Sequence, residues 1–232
     1  MAPASIHLPR ILRIGAGASA TLLDTLSELG VARPLLVTDP FLAEWGFAER
    51  LLQPLLRAGI ACPVFAECVP DPTTDSVAAC LSQLRSGDFD CLVALGGGSS
   101  LDTAKAVSVL APHGGAMRDF AVPATVPSGL PVIAIPTTAG TGAEVTRAAV
   151  ITDTLTQEKM LCMGLGLVPV AALVDFELTL SMPRRLTADT GLDSLCHALE
   201  AYVSRKANAF TDSIALTALA SISRHLRTAC ED

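Results

Sequence analysis

Short apolar runs alternate along the chain with stretches of helical spacing. Leu35-Leu36-Val37-Thr38 reads as a strand that ends at Asp39-Pro40. Residues 47–58 follow as an amphipathic helix, with Leu51, Leu52, Leu55 and Leu56 assigned to one face. Residues 61–65 read as a second short strand. Residues 74–84 read as a helix with Val77, Cys80, Leu81 and Leu84 at three- and four-residue spacing. Cys91-Leu92-Val93-Ala94-Leu95 is continuously apolar, the pattern of a parallel strand covered on both faces. It runs into Gly96-Gly97-Gly98-Ser99-Ser100, and a helix is predicted over 101–110. Residues 132–135 and 171–174 complete the strand candidates. The rhythm predicts an α/β fold built on an open, Rossmann-like sheet. From Pro183 onward the pattern changes: 187–204 and 211–228 both read as helices, with no strand between them. The expected division is therefore an α/β domain over 1–182, followed by the first part of an all-helical domain over 183–232.

Composition narrows the class. Of 232 residues, 50% are hydrophobic and 17% charged, which excludes a disordered chain and a disulfide-stapled miniprotein. The net charge of -7 and the lack of any basic run argue against a nucleic-acid partner, since phosphate binding needs clustered Lys and Arg. The first residues lack the apolar core of a signal peptide. The longest uncharged stretch, 120–143, is interrupted by Pro123, Pro127, Pro131 and Pro136 and by three glycines, so no membrane-spanning helix is expected there. Seven cysteines with no C-x-x-C pair read as free thiols in a reducing cytoplasm.

Two glycine-rich segments compete for an anion. Gly15-Ala16-Gly17-Ala18-Ser19-Ala20 loosely follows the dinucleotide fingerprint, but it also suits any tight strand-to-helix turn. Gly96-Gly97-Gly98-Ser99 follows the clearest strand and opens a helix, whose first N–H groups and partial positive charge suit a phosphate; a plain tight turn is the other reading. Asp102 could cap that helix or bind a polar ligand group. The loop Pro136-Thr137-Thr138-Ala139-Gly140-Thr141-Gly142 offers three hydroxyls beside two glycines, which suits either hydrogen bonding to a ligand or simple solvation. Asp193 and His197, four apart on a predicted helix, share a face and could bind one cation; a surface Asp–His pair is the alternative.

In order along the chain, Thr38-Asp39-Pro40, the segment from Gly96 through Asp102 to Lys105, the 136–146 loop, and Leu186 through Asp193 and His197 to Tyr202 resemble the iron-containing (group III) alcohol dehydrogenase family. The resemblance implies an NAD-binding α/β domain and a helical domain that binds a divalent metal, Fe2+ ahead of Zn2+. It implies that the cofactor pyrophosphate rests on Gly97, Gly98 and Ser99 rather than on the Gly15 loop. Asp102, Thr137, Thr138 and Thr141 would line the cofactor, and Lys159 would meet the nicotinamide ribose. Asp39 would face the adenosine ribose and favour NAD over NADP by repelling a 2′-phosphate. Position 143, often Ser in the family, is Ala here.

The family's metal is held by one Asp and three His. Asp193 and His197 match two of these, and the sequence ends before the others. No alcohol oxidation is therefore expected of these 232 residues, even with added iron or zinc. The implied reaction is hydride transfer between NAD(H) and a primary alcohol or aldehyde, in a homodimer. The alternatives are an NAD-binding chain without turnover, or a sister activity such as maleylacetate reductase or a polyol- or phosphonoacetaldehyde-type dehydrogenase.

Overall fold

A computed structural model describes residues 3–231. Six strands form one sheet: β1 (Ile11–Ile14), β2 (Pro34–Val37), β3 (Val64–Phe65), β4 (Cys91–Gly96), β5 (Val132–Pro136) and β8 (Ala171–Val174). The order across the sheet is β1-β8-β5-β4-β2-β3, and every pairing is parallel. β2, β4 and β5 are buried at every position, as their uninterrupted apolar sequence requires when helices cover both faces. The helices are α1 (Leu22–Leu29), α2 (Pro40–Glu44), α3 (Phe47–Arg57), α4 (Thr74–Arg85) and α5 (Gly98–His113). A separate antiparallel hairpin pairs β6 (Ala148–Thr152) with β7 (Lys159–Met163). Two long helices follow, α6 (Arg184–Val203) and α7 (Ala209–Glu231).

The core beside β4 is built from Leu35, Val37, Val77, Cys80, Leu92, Ala94, Leu101, Ala104 and Val107 with their neighbours. α4 is held at its start by a capping box, in which Thr73 and Ser76 bond each other's backbone amides. α2 opens with Asp39 as cap and Pro40 in the first helical position, where a missing N–H costs nothing.

Several expected elements are corrected. The strand expected over 61–65 is only Val64–Phe65. The helix expected from Leu101 begins three residues earlier, because a helix can start within a glycine-rich turn whose N–H groups need no partner inside it. Leu56, expected on the buried face of α3, is 67% exposed. Leu51 and Leu55 form the buried stripe, and Leu56 is rotated about 100° away from it. β1, β6, β7, α1 and α2 lie outside the elements predicted from the sequence.

The described residues cluster into two compact units. The larger, His7–Thr137 with Ala143–Glu177, holds both sheets. The smaller gathers Thr138–Gly142 with the chain from Leu178 onward. Within it α6 and α7 pack closely at Gly191, where a Cβ would come within 2.2 Å of Leu226 Cδ1. No helix among the described residues is long and apolar enough to cross a membrane.

Candidate functional site

The chain changes direction across the sheet between β2 and β4: β3 lies outside β2, and the chain then crosses back to β4 and continues through β5. In open α/β sheets the crevice at such a switch point, beyond the carboxyl ends of the strands, is where ligands bind. The residues at those ends here are Thr38 and Asp39 after β2, and Gly96 and Gly97 at β4.

Gly96 adopts φ +147°, a region L side chains rarely enter, and a Cβ there would sit 2.6 Å from Ser100 Oγ. Gly97 is the N-cap of α5 and offers no side-chain cap, so no side chain occupies the helix's first amides from that position. Asp39 Oδ1 accepts from the Leu42 amide at 3.0 Å, while Oδ2 lies 3.5 Å from where a Gly96 Cβ would be. Thr137 is buried and donates its amide to Gly96 O at 3.0 Å. The structure thus gathers Asp39, Gly97, Gly98, Ser99 and Thr137 at the ends of β2, β4 and β5. The Thr38 hydroxyl, which the sequence reading did not single out, is buried there without a hydrogen-bond partner.

The competing glycine loop is already filled. Asp175, at the end of β8, accepts from the Gly17 amide at 3.2 Å, the Ser19 amide at 3.1 Å and the Ser19 hydroxyl at 2.6 Å. The loop is an anion cradle whose anion belongs to the protein. Burial pushes the Asp175 carboxyl up, but the donors from Ser19, Glu177 and Gly17 outweigh it and hold the group below the usual carboxylate range.

Asp102 and Lys105 sit one turn apart on α5. Asp102 Oδ2 accepts from the Val150 amide at 2.9 Å, and Oδ1 is buried without a hydrogen-bond partner, 3.7 Å from Lys105 Nζ. Burial pushes the Asp102 carboxyl up, opposed by Lys105 and the Val150 amide. Burial pushes the Lys105 ammonium down, opposed by Asp102 and Glu144. Lys105 and Glu144 were not singled out from the sequence; the one cation in 101–110, three residues after Asp102 on the same predicted helix, is the signal that could have found the first. Lys159, at the start of β7, is exposed and pairs with Asp71 at 2.7 Å.

The remaining candidates lie in the smaller unit. The Thr138–Gly142 loop rests on α6: Ser194 Oγ donates to Ala139 O at 3.4 Å, and a Gly140 Cβ would meet Thr190 Cβ at 2.8 Å. Thr138 is half-buried and Thr141 exposed. On the same helix Asp193 Oδ1 and His197 Nε2 are 3.7 Å apart, both half exposed. Among the described residues no group of three or more His, Cys, Asp or Glu side chains is placed to hold a metal. The donor set is one carboxylate and one imidazole.

All seven cysteines are free. Burial pushes the thiols of Cys68 and Cys162 up to about 11 and that of Cys62 up to about 12.

A doubly wound parallel sheet with a glycine turn at its switch point defines a Rossmann-like α/β protein. The chain belongs to the iron-containing alcohol dehydrogenase family. Residues 9–176 match the iron-containing alcohol dehydrogenase model, and residues 187–232 match that of the family's C-terminal region. Long-chain-alcohol dehydrogenase 1 of Geobacillus thermodenitrificans is 38% identical over 238 residues, covering 99% of this chain and 58% of that protein. NAD-dependent methanol dehydrogenase of Bacillus methanolicus is 39% identical over 223 residues, covering 96% and 58%. Sulfoacetaldehyde reductase from Bifidobacterium kashiwanohense, solved in complex with NAD+, superposes with a TM-score of 0.93 at 32% identity, covering 100% of this chain and 62% of that one. The chain therefore spans about 58% of the length of the curated relatives it matches.

Proposed function

We propose that this chain is the NAD-binding part of an alcohol/aldehyde oxidoreductase, and that the cofactor pyrophosphate rests on Gly97, Gly98 and Ser99. The observation that carries this reading is the contrast between the two glycine loops: the start of α5 has no side-chain cap from Gly97, whereas the Gly15 loop is filled by Asp175. The fit to NAD rests on the start of α5, which Gly97 leaves without a side-chain cap, and on the buried Thr38 hydroxyl without a partner at the adjacent end of β2. The helix amides and partial charge bind the pyrophosphate. Asp39 accepts from a ribose hydroxyl and repels a 2′-phosphate, which selects NAD. Asp102, Thr137, Thr138 and Thr141 complete the lining, and Lys159 orients the nicotinamide ribose. When bound, NAD(H) supplies the hydride acceptor or donor.

The metal is assigned to Asp193 and His197, with Fe2+ ahead of Zn2+. The described residues give it two donors, which do not complete a site, so no step is derived through it. Hydride transfer to or from a primary alcohol or aldehyde is proposed for the protein of full family length, acting as a cytoplasmic homodimer. The NAD-dependent methanol dehydrogenase relative and the NAD+ complex of the sulfoacetaldehyde reductase support the choice of cofactor. An NADH fluorescence titration of the purified chain tests the reading. Saturable binding is expected, and its absence would remove the cofactor assignment.

A further inference from the structure

The hairpin β6–β7 stands outside the main sheet, so the outer edge of β6 has no neighbouring strand. Backbone groups of Ala148, Val150 and Thr152 face that edge, because alternate residues of a strand point their N–H and C=O the same way, and Thr146 lies two residues before the strand. The C-terminal part of the edge is met by backbone, with the Thr152 amide donating to Pro72 O at 2.8 Å. The rest is met by two side chains of one helix. Asp102 accepts from the Val150 amide at 2.9 Å. Lys105 Nζ donates to Ala148 O at 3.0 Å, and lies 3.2 Å from both Thr146 O and Thr146 Oγ1. An acid and an amine one turn apart thus replace the acceptor and donor of a missing strand. Lys105 is 1% exposed, and its ammonium has the three donors that this set of oxygens takes up.

Burying such a pair is costly, and its best-attested benefit is a fixed register. Register matters here because Thr152, at the end of β6, is paired across the hairpin with Lys159. A slip of β6 along α5 would displace Lys159 from its place. We propose that Lys105 is a positioning residue for the cofactor site: it locks β6 onto α5 and thereby sets where Lys159 stands. The inference rests on the NAD reading given above, in which Lys159 orients the nicotinamide ribose.

A double-mutant cycle on NADH affinity tests it, with Lys105→Met, Lys159→Ala and the double variant. Each single change is expected to weaken binding about ten-fold, the scale of a small misplacement of a binding group. The double variant should be little worse than Lys159→Ala alone, because both changes remove the same contact. Amide exchange should quicken across 146–163 in Lys105→Met while β4 and β5 stay protected. Additive losses, or unchanged affinity in Lys105→Met, overturn the inference. If Lys105→Met does not fold, Thr146→Val replaces it in the cycle with a smaller loss and the same criterion of non-additivity. Failure of the unaltered chain to bind NADH instead overturns the cofactor reading, an unchanged affinity in Lys159→Ala overturns the role given to Lys159, and either removes this inference.

Discussion

Asp175 Oδ2 lies 2.6 Å from the Ser19 hydroxyl and 3.1 Å from the Ser19 amide, across 156 residues of chain. The contact fastens the end of β8 to the loop after β1, its neighbour in the sheet. It also explains why a segment that resembles a phosphate loop holds none of the cofactor in this account.

Asp175→Asn should leave NADH affinity unchanged and lower stability by about 1.5–3 kcal/mol at neutral pH, the scale of a charged hydrogen bond. The folded carboxyl is depressed, so its contribution is fully present above the unfolded Asp value of about 3.9 and is lost as pH falls through the lower folded value. Urea unfolding of both proteins between pH 7 and pH 2 checks this. The difference between them should be constant above about pH 5 and shrink in acid. A difference that grew in acid would contradict the assignment.

Asp39 has two separable roles. One oxygen caps α2 through the Leu42 amide, and the negative charge is proposed to exclude a 2′-phosphate. Asn caps as well as Asp does but carries no charge. Asp39→Asn should therefore keep the melting temperature within a degree or two while narrowing the preference for NADH over NADPH by about ten-fold, roughly 1.4 kcal/mol. Parallel titrations with the two cofactors measure it. An unchanged ratio would remove Asp39 from the specificity account.

Much of the larger unit is legible in the sequence, and for one reason. β2, β4, β5 and β8 are short apolar runs bounded by turn residues, and their burial on both faces leaves no polar position to confuse the pattern. β1, β6 and β7 are harder to read because their outward positions are apolar too: Ile14, Val150, Leu161 and Met163 are all exposed, so the alternation that marks a half-buried strand is missing. The glycine turn after β4 could be found from its residues alone. The filling of the Gly15 loop could not, since its partner Asp175 lies 156 residues away. Lys105 is masked by its position in a buried helix, where spacing gives no hint of the strand edge it serves.

Asp193 and His197 face each other at 3.7 Å with about half of each side chain exposed, and two donors hold a transition metal weakly. The chain is expected to bind Zn2+ with low affinity and to lose that binding in either Asp193→Ala or His197→Ala. Added Fe2+ or Zn2+ should not elicit alcohol oxidation from these 232 residues. Calorimetry with each variant, and an assay of NADH formation, check the two statements separately. Tight metal binding that survives both substitutions would place the metal elsewhere.

The central claim is that the first turn of α5 receives the cofactor's pyrophosphate, and a single substitution separates it from every structural explanation. An acidic residue in the first turn of a helix favours the helix dipole, so Ser99→Asp should not weaken the fold. The same carboxylate would repel a bound pyrophosphate. Isothermal titration of NADH into the unaltered chain and into Ser99→Asp is expected to show binding in the first and at least about a ten-fold loss in the second, with equal melting temperatures. Equal NADH affinity in the two proteins would contradict the account.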